Sequence, residues 1–407
     1  MQQPSTPQDP RQRAMAFVRE GAARHGIGDI QGALALYRRA VELVPDEPNA
    51  TNLLGIAARQ LGDMELALTL SARALAMDPE SPIFLAARGA TLAEAGQLEG
   101  AVDVLTKAVA KRPGDAVSRR NLGQALCALG RVGEAMPHLR EAVALTPQDP
   151  EAQLALAHGL REGGANAAAA EAARRALSAG GDVAAQARFL MAALGEGKAP
   201  AKPPAAYVRN LFDTYAPRFE AELTGTLGYQ TPEALAGLLR QAGLMPQAAL
   251  DVLDAGCGTG LSGQALRPWA RHMAGVDLSP RMLDVARQRG IYDALEEAEL
   301  VEFLVAHRGA YDLVAASDVL NYLGDLAPAL NAMAAALRPG GHAAFSLETG
   351  QGVPYALGEG MRYRHDPGHV LALAGATRLS LLGREEVVLR EERGTPVGGT
   401  LLLLRRD

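Results

Sequence analysis

Small and apolar residues in the first half of the chain return at a constant spacing of 34 residues. Pro45, Pro79, Pro113 and Pro147 keep this phase, as do Gly21, Gly55, Gly89 and Gly123. Ala33, Ala67, Ala101 and Ala135 form a third set, and Ala40, Ala74, Ala108 and Ala142 a fourth. Small residues recur where two helices cross closely, and a proline ends each unit because it cannot continue a helix. Phe17 and Tyr37 fill the large positions of the first unit. A degenerate fifth unit begins near Pro150, with Ala157, Ala169 and Ala176 at the small positions and Gly181 in place of the proline, and residues 183–194 read as a capping helix. The expected order is a disordered N-terminus at 1–13, a helical superhelix over 14–194, a linker at 195–204 (GEGKAPAKPP) and a second domain over 205–407.

Beyond the linker the pattern changes to short apolar runs separated by helices. Leu250–Leu253 reads as a buried strand that ends in Asp254 and a turn holding Gly256, Gly258 and Gly260. Glycines let the backbone approach a ligand, and a helix over about 261–266 points its amides at the same place. The next strand, 272–276, ends at Asp277, 17 residues after Gly260, where a carboxylate can accept two ribose hydroxyls. A helix over 280–288 follows, capped by Ser279, and Glu299 comes after a short third strand or turn. The strand 311–316 empties into Ser317, Asp318, Asn321 and Tyr322, where ligands of open parallel sheets gather. A helix over 326–337 and a strand over 342–347, closed by Glu348, come next. The C-terminal segment reads as two antiparallel strands joined through Gly394–Gly399.

The 34-residue pattern resembles the tetratricopeptide repeat (TPR). G-x-G-x-G after a strand, with Asp254 before it and Asp277 after the next strand, resembles the S-adenosylmethionine (SAM) methyltransferases of class I. The implied fold is α plus α/β: an all-α TPR superhelix, then a Rossmann-like sheet of seven strands with one reversed. LFD-x-YA-x-x-F and L-x-Y-x-x-P between Tyr207 and Tyr229 resemble the lid of a group of small methyltransferases, and the whole chain resembles methyltransferases carrying TPR repeats. The resemblance implies a SAM site formed by Tyr215, Tyr229, Asp254, Gly256, Gly258, Gly260, Asp277, Leu278, Met282, Glu299, Leu300, Ser317 and Asp318. Glu299, whose family counterpart receives the adenine amino group, is one methylene longer than the usual aspartate. His365, Asp318 and Tyr215 are the candidate catalytic residues, His365 as a general base in a loop over the substrate side.

Composition narrows the partners. A formal charge of −6 gives no footprint for nucleic acid or an anionic membrane. Two cysteines in different segments, and an N-terminus without an apolar stretch, suit the cytoplasm. No metal is expected. The expected activity is SAM-dependent methyl transfer to a small molecule, with the array as scaffold or self-association surface. One alternative is a protein or peptide target recruited by the concave face, where Asn52, Arg88, Arg119, Arg120 and Asn121 are candidate contacts. Another is an adaptor that binds SAM without transferring its methyl.

Overall fold

In the computed structural model residues 9–407 are described, apart from Leu227, Glu359 and Arg393. Most of the segment expected to be disordered, residues 1–8, therefore lies outside the described residues. The chain divides into two units, Met1–Ala176 and Leu177–Asp407.

The first unit is five antiparallel helix pairs: α1 (Pro10–Gly26) with α2 (Ile30–Leu43), α3 (Pro48–Gln60) with α4 (Met64–Met77), α5 (Pro82–Glu94) with α6 (Leu98–Lys111), α7 (Ala116–Ala128) with α8 (Val132–Leu145), and α9 (Pro150–Glu162) with α10 (Asn166–Ala176). α1 starts earlier than expected because Asp9 caps it through the Arg11 amide and Pro10 opens its first turn. The recurring glycines mark the helix crossings. A Cβ on Gly21 would stand 2.6 Å from the Tyr37 ring, one on Gly89 2.4 Å from Leu105 and one on Gly123 2.5 Å from Leu139. Three candidates for a peptide-binding patch make bonds within the unit, those of Arg119 and Arg120 at exposed positions. Arg88 donates to the Leu68 carbonyl at 2.7 Å, Arg119 to the Pro113 carbonyl at 2.7 Å, and Arg120 pairs with Glu151. Asn52 is buried.

The second unit opens with α11 (Gly181–Ala193), which the periodicity places at the end of the array. Its buried Phe189 packs against Tyr207 at 5.2 Å and Tyr363 at 6.3 Å between ring centroids. The segment expected to be a linker is fixed here too. Pro200 O accepts the Tyr363 hydroxyl at 2.8 Å, and Ala201 O accepts the amides of Gly324 and Asp325.

After α12 (Ala205–Tyr215), a π-turn (Ala221–Thr226) and α13 (Thr231–Gln241), strands and helices alternate: β1 (Leu250–Ala255), α14 (Leu261–Leu266), β2 (Ala270–Asp277), α15 (Pro280–Gln288), β3 (Ala294–Glu297), α16 (Leu300–Ala306), β4 (Tyr311–Ala316), α17 (Ala327–Ala336) and β5 (Leu337–Thr349). The short β6 (Tyr355–Leu357) and β7 (Tyr363–His365), then α18 (Pro367–Ala376), β8 (Leu379–Glu392) and β9 (Thr395–Arg406), complete the chain. The five strands β3-β2-β1-β4-β5 are parallel; β9 runs antiparallel to β5, and β8 antiparallel to β9. β6 and β7 extend the end of β5.

Both faces of the central strands are buried, which is why they read as continuous apolar runs, whereas the outer β3 and β8 are largely exposed. Leu253, Val314, Leu402 and Leu404 pack on one face, and Val252, Leu313, Leu401 and Leu403 on the other. The last hairpin turns tighter than the expected Gly394–Gly399 loop. Gly398 and Gly399 lie within β9, where a Cβ on Gly399 would meet Leu389 at 2.4 Å and the Leu347 carbonyl at 2.8 Å. Close strand approach requires that glycine.

Candidate functional site

The turn after β1 is built from left-handed glycines, with φ of 73° at Gly256, 52° at Gly258 and 91° at Gly260. A Cβ on Gly256 would lie 2.4 Å from Val319 Cγ2, so the turn nests against the loop after β4. At Gly258 the nearest atom to such a Cβ is Phe219 Cε1 at 3.8 Å, and the backbone there borders open space. The Gly258 amide donates to Asp277 Oδ2 at 2.9 Å and the Ser279 amide to Oδ1 at 2.8 Å. Burial raises the Asp277 pKa although these amides oppose it.

Asp254 lies beneath the turn. It is fully buried and accepts the Tyr292 hydroxyl at 2.6 Å. Burial, with the nearby Asp277 charge, pushes its pKa up to about 7 against that hydrogen bond. The Tyr292 side chain occupies the space left by absent side chains at Gly263 and Gly275, whose Cβ atoms would meet its hydroxyl at 2.2 Å and its ring at 2.9 Å.

Above the turn is a cavity of about 370 Å³ within the second unit. Of the expected site residues, Tyr215, Tyr229, Gly256, Gly258, Asp277, Leu278, Glu299, Leu300, Ser317 and Asp318 line it. Asp254, Gly260, Met282 and His365 are not among its lining residues. Met282 is fully buried in α15, and Gly260 faces Arg289 and Tyr292. Glu299 caps α16 by accepting the Glu302 amide at 3.0 Å.

The roof comes from α12 and the segment that joins it to α13. Val208, Leu211, Phe212, Phe219 and Leu223 line the cavity with the two tyrosines. Phe212 meets Tyr322 edge-on at 5.1 Å, and Tyr215 meets Phe219 at 5.5 Å. Polar links tie the roof to the floor. Ser279 Oγ donates to Asp213 Oδ1 at 2.6 Å, while Arg289 donates to the Thr259 carbonyl at 2.6 Å and to Glu220. Burial and the Asp318 and Asp254 charges hold the Tyr229 hydroxyl pKa far above its ordinary value.

The wall at the ends of β4, β5 and β8 is polar. Asp318 has a φ of 54°, a strained conformation for a non-glycine residue, and is held by Ser346, which accepts its amide at 2.7 Å and donates to its carboxylate at 2.8 Å. Burial raises the Asp318 pKa, with Arg390 opposing. Asn321, Arg362, Arg390 and Glu392 line the cavity beside it, and Glu348 lies behind them. Sequence reasoning passed over both arginines and Glu392. Their signal is weak: Arg390 and Glu392 share a strand with the charged Arg384, Glu385, Glu386 and Glu391, and Arg362 lies in a loop.

His365 is 1% exposed, with Nε2 2.8 Å from the Leu323 carbonyl. A nitrogen facing a carbonyl carries the proton, so Nε2 cannot act as the base on this tautomer. Burial lowers the pKa and favours the neutral ring. His365 is thus a buried donor through Nε2 that joins β7 to the loop after β4, and its basic nitrogen is the equally buried Nδ1, which has no hydrogen-bond partner among the described residues.

The expected seven strands with β9 reversed are joined in the same sheet by β7 and the antiparallel β6; with a glycine turn after the first strand and an acid at the end of the second, this mostly parallel sheet defines a Rossmann-like methyltransferase fold preceded by a TPR array. Comparison with known proteins gives the same two parts. A methyltransferase domain model matches residues 253–343, and tetratricopeptide repeat models match 20–82, 67–116 and 92–159. The ubiquinone biosynthesis O-methyltransferase of Aromatoleum aromaticum is 36% identical over 111 residues, 26% of this chain and 46% of the relative. The protein of that name from Xylella fastidiosa (strain 9a5c) is 34% identical over 101 residues, 24% of this chain and 41% of the relative. The chain thus spans less than half the length of these two relatives. Among solved structures, a SAM-dependent methyltransferase from Mesorhizobium loti aligns at 24% identity and a TM-score of 0.35, over 43% of this chain and 100% of that one. Among the described residues no helix is long and apolar enough to cross a membrane.

Proposed function

We propose that the chain is a SAM-dependent methyltransferase acting on a small-molecule acceptor in the cytoplasm, with its TPR array as scaffold or self-association surface. The roofed cavity carries this reading, because it joins the Gly256–Gly258–Asp277 floor to the polar Asp318–Asn321 wall. Its volume lies in the range of small-ligand sites. In this reading Asp277 takes the ribose hydroxyls, Glu299 and Leu300 meet the adenine, and Tyr215 and Tyr229 face the sulfonium. SAM supplies the methyl group and its own leaving group. The chain then orients the acceptor behind the methyl and excludes water, tasks suited to the aromatic roof and to Asp318 and Asn321. The printed name of the curated relatives supports an oxygen atom as the acceptor to try first.

Labelled-methyl transfer from SAM to a panel of hydroxyl- and carboxyl-bearing small molecules tests the proposal. A chain beginning at Leu177 separates it from protein recruitment. Unchanged kcat/KM toward the small acceptor supports it, and activity confined to a protein target and lost with the array refutes it. The cut belongs before α11, since starting at Ala199 would remove Phe189 from Tyr207 and Tyr363.

A further inference from the structure

Four side chains on the cavity wall form a closed ring of alternating charge. Arg390 donates through Nε to Glu392 Oε1 at 2.7 Å and through Nη2 to Glu348; Arg362 donates through Nε to Glu348 Oε1 at 3.0 Å and through Nη2 to Glu392. The two carboxylates are not equivalent. The Glu348 side chain is 5% exposed, whereas that of Glu392, at the end of β8, is 37% exposed and lines the cavity. Arg390 is 6% exposed, and its Nη1 stands 4.0 Å from Asp318 Oδ2, beyond hydrogen-bond distance. Asn321 Oδ1 and Ser317 Oγ, both on buried residues of the cavity wall, have no hydrogen-bond partner among the described residues.

Buried guanidiniums favour planar carboxylates, which they hold with paired donors. Glu348 is the fixed counterion. Glu392 is the more accessible member, presented to the cavity from the end of a hairpin strand. We propose that Arg390 and Arg362 form the seat for a carboxylate of the methyl acceptor, and that Glu392 occupies this seat until the acceptor displaces it. The inference rests on the methyltransferase reading and adds the acceptor class, a carboxylic acid with an apolar body. That body suits Val208, Leu211, Phe212 and Leu223 of the roof. Charge is consistent with the exchange. One carboxylate replaces another between the same guanidiniums, and Arg390 remains the cation beside Asp318, its Nη1 4.0 Å from Oδ2. The unpartnered Asn321 Oδ1 and Ser317 Oγ remain for the group that receives the methyl.

Isothermal calorimetry on the full chain, saturated with S-adenosylhomocysteine, tests this with benzoate and its neutral counterpart benzamide. Benzoate should bind at least about tenfold more tightly than benzamide. Glu392→Gln, on the more exposed carboxylate of the ring, should tighten benzoate by about tenfold and leave benzamide unchanged, whereas Arg362→Gln should abolish the preference. Equal binding of the two probes, no benzoate binding, or no tightening in Glu392→Gln overturns the proposal. The affinity for S-adenosylhomocysteine alone separates the readings. If it binds normally and benzoate fails, only the acceptor class falls; if Arg362→Gln weakens S-adenosylhomocysteine itself, the seat belongs to the cofactor's own carboxylate and the proposal fails; if wild type binds none, the methyltransferase reading falls with it.

Discussion

Asp254→Asn tests how the glycine turn is supported. In the folded chain burial, with the neighbouring Asp277 charge, pushes the Asp254 pKa up to about 7 from an ordinary value of 3.8. A raised pKa means that the folded state binds the proton more tightly. The resulting stability is fully present below 3.8 and is lost as pH rises through about 7. At pH about 5 the unfolded carboxyl is ionised and the folded one is still protonated about two pH units below its pKa, so the contribution is about 3 kcal/mol at about 1.4 kcal/mol per unit. By pH about 8 it has nearly vanished. Asparagine has the same shape, keeps an oxygen for the Tyr292 hydroxyl and cannot ionise. The stability of Asp254→Asn relative to wild type should therefore rise by about 3 kcal/mol between these pH values. Urea unfolding followed by Trp269 fluorescence reads this directly, since the chain has 1 tryptophan and it is buried in the second unit. The difference between variant and wild type cancels the other titrating groups. A difference equal at both pH values would show that Asp254 ionises normally and refute the account of a carboxyl neutralised beneath the turn.

Gly256→Ala should cost about 2–4 kcal/mol in the same unfolding assay, from the left-handed backbone together with a Cβ 2.4 Å from Val319. Wild-type stability would show that the loop after β4 does not pack on the turn. His365→Ala should lower stability by about 1–3 kcal/mol, since it leaves the Leu323 carbonyl without its donor. Because burial lowers the His365 pKa below 6.5, its contribution is present above 6.5 and is lost as pH falls, so the penalty should shrink in acid. A displaced pH profile of methyl transfer, with stability intact, would restore His365 as a base.

The repeat was legible because a glycine recurs every 34 residues where helices cross closely: at Gly21, Gly89 and Gly123 it faces the large side chains of Tyr37, Leu105 and Leu139, and at Gly55 it lies against Leu70 and the Ser71 backbone. The strands of the sheet were legible for a similar reason, since two buried faces leave uninterrupted apolar runs such as Leu401–Leu404. α11 carries the same helical pattern as the array, and nothing local marks that Phe189 packs on Tyr207 and Tyr363 instead. Glycine is ambiguous in the same way. Gly399 reads as a turn residue, and its reason is a neighbouring strand that local sequence does not contain. The polar wall was least legible, because Glu348, Arg362 and the Arg390–Glu392 pair come from three separate segments and meet only when the sheet closes. His365 shows a different limit, since its residue type suits acid–base work but nothing local marks that the ring lies buried, outside the cavity lining, with Nε2 on a carbonyl.

The central claim is that the cavity over Gly258 and Asp277 is a SAM site. The most direct measurement is calorimetric titration of S-adenosylmethionine into the full chain and into Asp277→Ala, with unfolding of both followed alongside to verify that the variant is folded. The account predicts one site per chain in wild type and binding at least about tenfold weaker in folded Asp277→Ala, which has lost the acceptor for the ribose hydroxyls. No binding by wild type, or equal affinity in the folded variant, would contradict it.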